Sequence, residues 1–172
     1  MSRMFIGAMR FDQPLNDWDT SEVTNMSYMF NEATSFNQPL NNWDTTNVTN
    51  MSGMFRGATS FNQPLDNWNT TNVTYMYVMF ERATSFNQPL NDWDTSNVRD
   101  IRYMFSKAEK FNQSLDNWDI NNITNNAYFI KDIFLDSGLE EDNYCKLFKG
   151  KSKAIWTKYK SVLGVSSSYE CN

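Results

Sequence analysis

The chain has 172 residues, with 15 basic against 20 acidic side chains and no histidine, for a formal charge of −5 and a pI near 4.7. That balance argues against nucleic acid, whose phosphates demand a basic face, and against electrostatic adsorption to anionic lipid. The missing histidine removes the commonest general base and the commonest metal ligand. No apolar run approaches the ~18 residues of a spanning helix, so no membrane insertion is expected.

In chain order, residues 1–10, MSRMFIGAMR, lack a continuous apolar core and do not read as a signal peptide. Met1, Met4, Phe5 and Ala8 instead fall in the register of Met26, Met29, Phe30 and Ala33. The chain thus starts inside a repeat, which points to a piece of a longer protein. It also leaves an open N-terminal end through which chains can associate.

Full copies open at Phe11, Phe36, Phe61, Phe86 and Phe111, each 25 residues after the last. A fixed period of that size signals stacked units, none of which can bury its own apolar side alone. Gln recurs at 13, 38, 63, 88 and 113, Leu at 15, 40, 65, 90 and 115, and Trp at 18, 43, 68, 93 and 118. Val23, Val48, Val73, Val98 and Ile123 make one β-branched column; Met29, Met54, Met79 and Met104 make another, beside Phe30, Phe55, Phe80 and Phe105. Stacked, these columns become core ladders, and no cofactor is needed to explain the aromatic content.

Within a copy, Val23, Met26, Met29, Phe30 and Ala33 follow helical spacing, which predicts a short helix from about Met26 to Thr34, capped by Thr24 or Asn25. The segment opened by Phe11, Gln13 and Leu15 alternates as a strand does, with pairing limited by Pro14. DWDTS and NWDTT are turn chemistry. Gln and Asn columns predict hydrogen-bonded side-chain ladders. The expected architecture over 1–134 is therefore an α/β repeat solenoid with one short helix and short parallel strands per turn.

In the fifth copy Asn126 replaces Met, Phe129-Ile130 replaces Met-Phe, and Ile133 replaces Ala; beyond it the period is lost. Ser137-Gly138-Leu139-Glu140 reads as a capping box, followed by a helix carrying Tyr144, Leu147 and Phe148 and ended by Gly150. Ile155, Trp156, Tyr159, Val162 and Leu163 predict a second helix stopped by Gly164. Residues 135–172 are thus expected to form a helical C-terminal cap, with lysines 146 to 160 on its solvated face. Both cysteines lie there. A Cys145–Cys171 disulfide would tether the polar tail and suit an extracellular or virion-surface protein; two free thiols are the alternative.

The repeat FNQPLNNWDT with its VTNM segment and Met-Phe pair resembles the unit of the BspA-like surface proteins. These are a leucine-rich-repeat-like family also seen in Mycoplasma lipoproteins, other bacteria, protists and large DNA viruses. The resemblance covers residues 1 to about 134 and implies a leucine-rich-repeat-like solenoid, a surface or secreted location, and adhesion or binding to host proteins. It brings no catalytic residues, and the chain departs from it in showing no signal or lipid-attachment sequence.

Among chemical signals, Asp17 with Asp19 and Asp92 with Asp94 suggest calcium or glycosidase carboxylates, but the matching positions are Asn42/Asp44 and Asn67/Asn69. Thr20, Thr45, Thr70 and Thr95 form a hydroxyl rank of the kind that binds ice, adjoined by Asp19, Asp44 and Asp94. The Asn25, Asn47 and Asn72 sequons follow automatically from the repeat. The expected function is a non-enzymatic module without cofactor or metal, binding a host protein or itself; a calcium-binding or ice-binding structural solenoid is the alternative. Specificity falls to the variable columns, and the candidate partner-binding residues are Tyr28, Glu32, Arg56, Tyr77, Arg82, Tyr103 and Lys107.

Overall fold

The computed structural model describes residues 1–123, 126–165 and 169–171. Successive 25-residue copies lie one upon another, joined by a repeating set of backbone bonds. The N–H groups of Met26, Tyr28, Phe30 and Glu32 donate to the carbonyls of Asn50, Ser52, Met54 and Arg56 in the next copy. Met51, Gly53, Phe55 and Gly57 donate in turn to Tyr75, Tyr77, Met79 and Glu81, and the set recurs at 76–82 and 101–107. The intervening amides turn inward: Met29 donates to Met26, Asn31 to Tyr28 and Ala33 to Phe30. Alternate N–H groups thus tie one copy to the next, while the others close tight turns within the copy.

This arrangement overturns the expected α/β repeat solenoid. Among the described residues of 1–123 there is no helix and no strand; parallel pairing is limited to the bridges Asn25↔Asn50, Asn50↔Tyr75 and Tyr75↔Asp100. The helix expected over 26–34 fails at two residues. Tyr28 and Glu32 have φ of 56° and 59°, and the pair recurs as Gly53/Gly57, Val78/Arg82 and Tyr103/Lys107. A left-handed residue ends any right-handed helix and costs a non-glycine roughly 1–2 kcal/mol. The ladder bonds and the burial beneath them offset that cost. The chain is mostly loops, held by register rather than by long elements.

Under each loop the expected columns form the core. Met29, Phe30, Ala33, Phe36, Leu40 and Val48 are fully buried, and so are their counterparts one copy on. Two phenylalanine columns interleave: Phe30–Phe36 ring centroids are 4.0 Å apart, Phe55–Phe61 4.0 Å and Phe80–Phe86 3.9 Å. Each buried tryptophan of the repeats spends its N–H on the copy before it: Trp43 Nε1 donates to the Leu15 carbonyl at 2.8 Å and Trp68 Nε1 to the Leu40 carbonyl at 3.0 Å. The side-chain ladders also form, linking Gln to Asn: Gln63, Gln88 and Gln113 Nε2 donate to Asn37, Asn62 and Asn87 Oδ1 one copy back at 3.2, 3.0 and 2.9 Å, and the same oxygens accept from backbone. Asn62 N–H donates to Asn37 Oδ1, Asn87 to Asn62 and Asn112 to Asn87, each at 2.9 Å.

The fifth copy changes step. Met76 N–H reaches Asp100, 24 residues on, whereas Ile101 N–H reaches Phe129, 28 residues on. Four extra residues therefore move the columns, and Phe134, not Ile130, continues the phenylalanine stack at 6.1 Å from Phe105. Asp132 and Asp136 repeat the left-handed pair.

Two short α-helices follow, α1 (Glu141–Leu147) and α2 (Lys153–Lys158). The capping box does not form: Glu140 occupies the N-cap without a side-chain bond. The second helix stops at Lys158 and passes into a 3₁₀ turn, Lys160–Val162, rather than continuing to Leu163. Asp132 and Phe134 donate to Val162 and Leu163, Ile120 N–H donates to Ser152 Oγ, and Trp156 covers Phe134 at 6.2 Å. Cys145 and Cys171 are disulfide-bonded across 26 residues. Of the tail that this bond ties down, 166–168 and 172 lie outside the described residues.

Two outcomes follow. Trp68→Ala removes a side chain only 4 % exposed and leaves the Leu40 carbonyl with the Trp43 N–H alone; thermal unfolding should show a loss of about 3–5 kcal/mol. Reduction of the disulfide should lower stability by roughly 3–4 kcal/mol, read as a drop in Tm on adding reductant.

Candidate functional site

The candidate residues divide between two groups along the ladder. Glu32, Arg56, Arg82 and the neighbouring Glu81 form a charge network: Arg56 Nε lies 2.7 Å from Glu81 and its Nη1 3.5 Å from Glu32, while Arg82 reaches Glu32 at 4.0 Å. The Glu81 hydrogen bond raises the Arg56 pKa further. Glu32 lies directly over Gly57, where a Cβ would stand 2.7 Å from its carboxylate. Pairs this exposed contribute little, on the order of 0.2–1 kcal/mol. Tyr103 and Lys107 hold the left-handed positions of the fourth copy, and among the described residues neither joins this network.

Tyr28 lies in the same way across Gly53, whose Cβ would meet the ring at 2.4 Å, and its edge reaches Tyr77 two copies away at 6.3 Å. Burial first, and Tyr77 second, push its hydroxyl up to about 12. Arg3 stands over the Tyr28 ring at 5.8 Å. Beyond Tyr77, Arg102 is sandwiched between two rings, 4.8 Å from the Tyr77 centroid and 4.5 Å from that of Tyr128. An aromatic and guanidinium stripe, Arg3–Tyr28–Tyr77–Arg102–Tyr128, therefore runs along the ladder face.

Beside it stands the carbonyl column Asn25, Asn50, Tyr75, Asp100 and Phe129, which accepts from Met1, Met26, Met51, Met76 and Ile101 respectively. At three of these five levels the column residue's own side chain closes the turn: Asn25 Oδ1 accepts from Ser27 N–H and Asn50 Oδ1 from Ser52, both at 2.9 Å, and Asp100 Oδ1 accepts from Arg102 at 3.2 Å. In the shifted fifth copy Phe129 has no such oxygen, and Asn126, three residues before it, accepts from Tyr128 at 3.0 Å instead. Tyr75 has no such oxygen to offer, and its ring is 43 % exposed. It lines a recess of about 250 Å³ with Arg99, Asp100, Asn122 and Phe129. Burial raises the Asp100 pKa, against the opposing pull of the Arg102 N–H and guanidinium, the latter 3.3 Å away.

Tyr75, Arg99, Arg102, Tyr128 and Phe129 are absent from the residues that sequence variation singles out. The signal is nevertheless present. Tyr75 interrupts an Asn column, Arg99 a Thr column at 24, 49 and 74, and Arg102 follows Ser27, Ser52 and Tyr77.

Several of the other chemical candidates bond within the chain. Asp19 Oδ1 accepts from both the N–H and the Oγ of Ser21, which lowers its pKa; Asp44 and Asp94 do the same for the residues two positions on. Among the described residues no group of three or more His, Cys, Asp or Glu is placed to hold a metal. The Thr20, Thr45, Thr70 and Thr95 hydroxyls are buried and donate to the next copy's carbonyls at 2.9–3.0 Å. No helix is long and apolar enough to cross a membrane among the described residues.

In comparisons with known proteins, the family model described as Mycoplasma protein of unknown function, DUF285, matches residues 1–74 and 39–136. Neither the curated proteins nor the solved structures yield a match.

The left-handed glycines supply a direct test of this surface. Gly53→Ala places a Cβ at φ 62° and against the Tyr28 ring. It should cost about 1–3 kcal/mol in thermal unfolding and change the fluorescence of the displaced tyrosine pair.

Proposed function

The chain belongs to the DUF285 family of Mycoplasma proteins of unknown function, and we propose that it is a non-enzymatic module that binds another protein through its ladder face. One observation carries this. In the third copy the turn-closing oxygen supplied by Asn25, Asn50 and Asp100 is given up for Tyr75, which stays 43 % exposed. A protein that abandons a repeated structural bond without burying the replacement is obeying a demand other than folding. Around it stand Tyr28, Tyr77, Arg102 and Tyr128, the residue types that dominate binding energy in protein interfaces.

The resemblance of the FNQPL and Met-Phe repeat to the BspA-like surface proteins supports the same reading and adds a surface or secreted location with a host protein as partner. The Cys145–Cys171 disulfide is consistent with an oxidising compartment.

The test is Tyr75→Asn, which restores the column residue. The regained turn bond, about 0.5–1.5 kcal/mol, offsets the packing that the half-exposed ring supplied, so Tm is retained. Affinity capture from host-surface extract should recover a protein with the parent chain and lose it with the variant. Equal recovery by both moves the interface away from Tyr75.

A further inference from the structure

We propose that the recess around Tyr75 takes an aromatic side chain from an extended segment of a partner protein, with a carboxylate adjacent to it in sequence. The inference rests on the reading of this face as the binding surface and assigns the chemistry of what binds. Tyr75, Asp100 and Phe129 are successive levels of one carbonyl column, so the two rings stand one level to either side of Asp100. Asp100 is 3 % exposed and Tyr75 is 43 % exposed. Two rings separated by one level bound a slot suited to a flat group, and a volume of about 250 Å³ is that of a side chain rather than a whole small ligand.

Charge selects the flanking group. Asp100 is already engaged by Arg102, through its N–H at 3.2 Å and its guanidinium at 3.3 Å. Arg99, exposed on the rim, forms no ion pair among the described residues. The recess therefore presents one uncompensated positive charge on a protein of net charge −5, which favours a partner carboxylate. Asn122 adds little competition, since its side-chain amide donates to the Ser96 carbonyl. Arg102 cannot turn toward the ligand without leaving both its rings, so Arg99 is the residue that meets the acid.

The experiment titrates the intact disulfide-bonded chain with three blocked peptides, Glu-Phe-Glu, Lys-Phe-Lys and Glu-Ala-Glu, following tyrosine fluorescence and chemical shifts. Glu-Phe-Glu should bind at least tenfold more tightly than either other peptide. Arg99→Glu should reverse the preference between the two charged peptides, Tyr75→Asn should remove it, and Arg82→Glu, on the separate charge network, should leave it unchanged. Equal binding of all three peptides, or preference for Lys-Phe-Lys by the parent chain, overturns the proposal. Failure of Glu-Phe-Glu to bind while protein capture still depends on Tyr75 overturns this chemistry alone. Loss of both effects overturns the interface reading as well. Concentration-dependent self-association abolished by Tyr75→Asn would assign the recess to a second copy of the chain, and would also overturn it.

Discussion

The structure depends on one constraint: each copy must present four backbone N–H groups, two residues apart, to four carbonyls of the next. An ordinary strand would do so by extending, with side chains alternating between faces. Here two left-handed residues per copy fold the segment into consecutive tight turns, yet keep alternate amides aligned along the stack. The two sets of bonds reinforce each other. The local turns hold the donors in place, and the neighbouring copy supplies acceptors that a lone copy lacks.

That backbone solution dictates the side chains. Met26, Met29, Phe30 and Ala33 all fall inward because the turns between them return the chain to the same side. Phe36 then stacks on Phe30 within the copy, Trp43 bonds back to the copy before, and Thr45 bonds forward to the copy after. A core substitution is therefore felt in three copies at once. Columns 24, 25, 27 and 28 lie on the ladder face, with 31 and 32 beside them, outside the stacked core. The tyrosines and arginines gather there.

The repeat, its period and its buried columns are legible in the sequence, because identical residues at identical spacing report identical environments. Helix and consecutive turns are not distinguishable by apolar spacing alone, since both bring residues 26, 29, 30 and 33 to one side. The discriminating signal is Gly at 7, 53 and 57, which marks two positions per copy that require positive φ. At 28 and 32 those positions hold Tyr and Glu, and the same variability reads as surface freedom. Phe134 escapes a register argument because four inserted residues shift the last copy while Phe129-Ile130 imitates the lost register. The ladder face is half visible. Tyr28 and Tyr77 stand out as bulky, but Tyr75 and Arg99 become informative only once the Asn and Thr they replace are seen bonding to the backbone.

Because every ladder N–H points toward the C-terminal side, the stack has an electrical direction. The four ladder dipoles of each copy add along the axis with the carbonyl end toward the start of the chain, the reverse of a helix, and are only partly opposed by bonds such as Thr49 N–H to Thr24 and Ser60 N–H to Thr34. Ser2, Met4 and Ile6 hold the positions whose counterparts at Ser27, Met29 and Asn31 receive donors from the copy before. Their carbonyls hold the acceptor positions of this first level, beside the basic side chains of Arg3 and Arg10. The stack is therefore a one-way object: along the ladder each level turns donors to one neighbour and acceptors to the other, so copies can follow one another only head to tail.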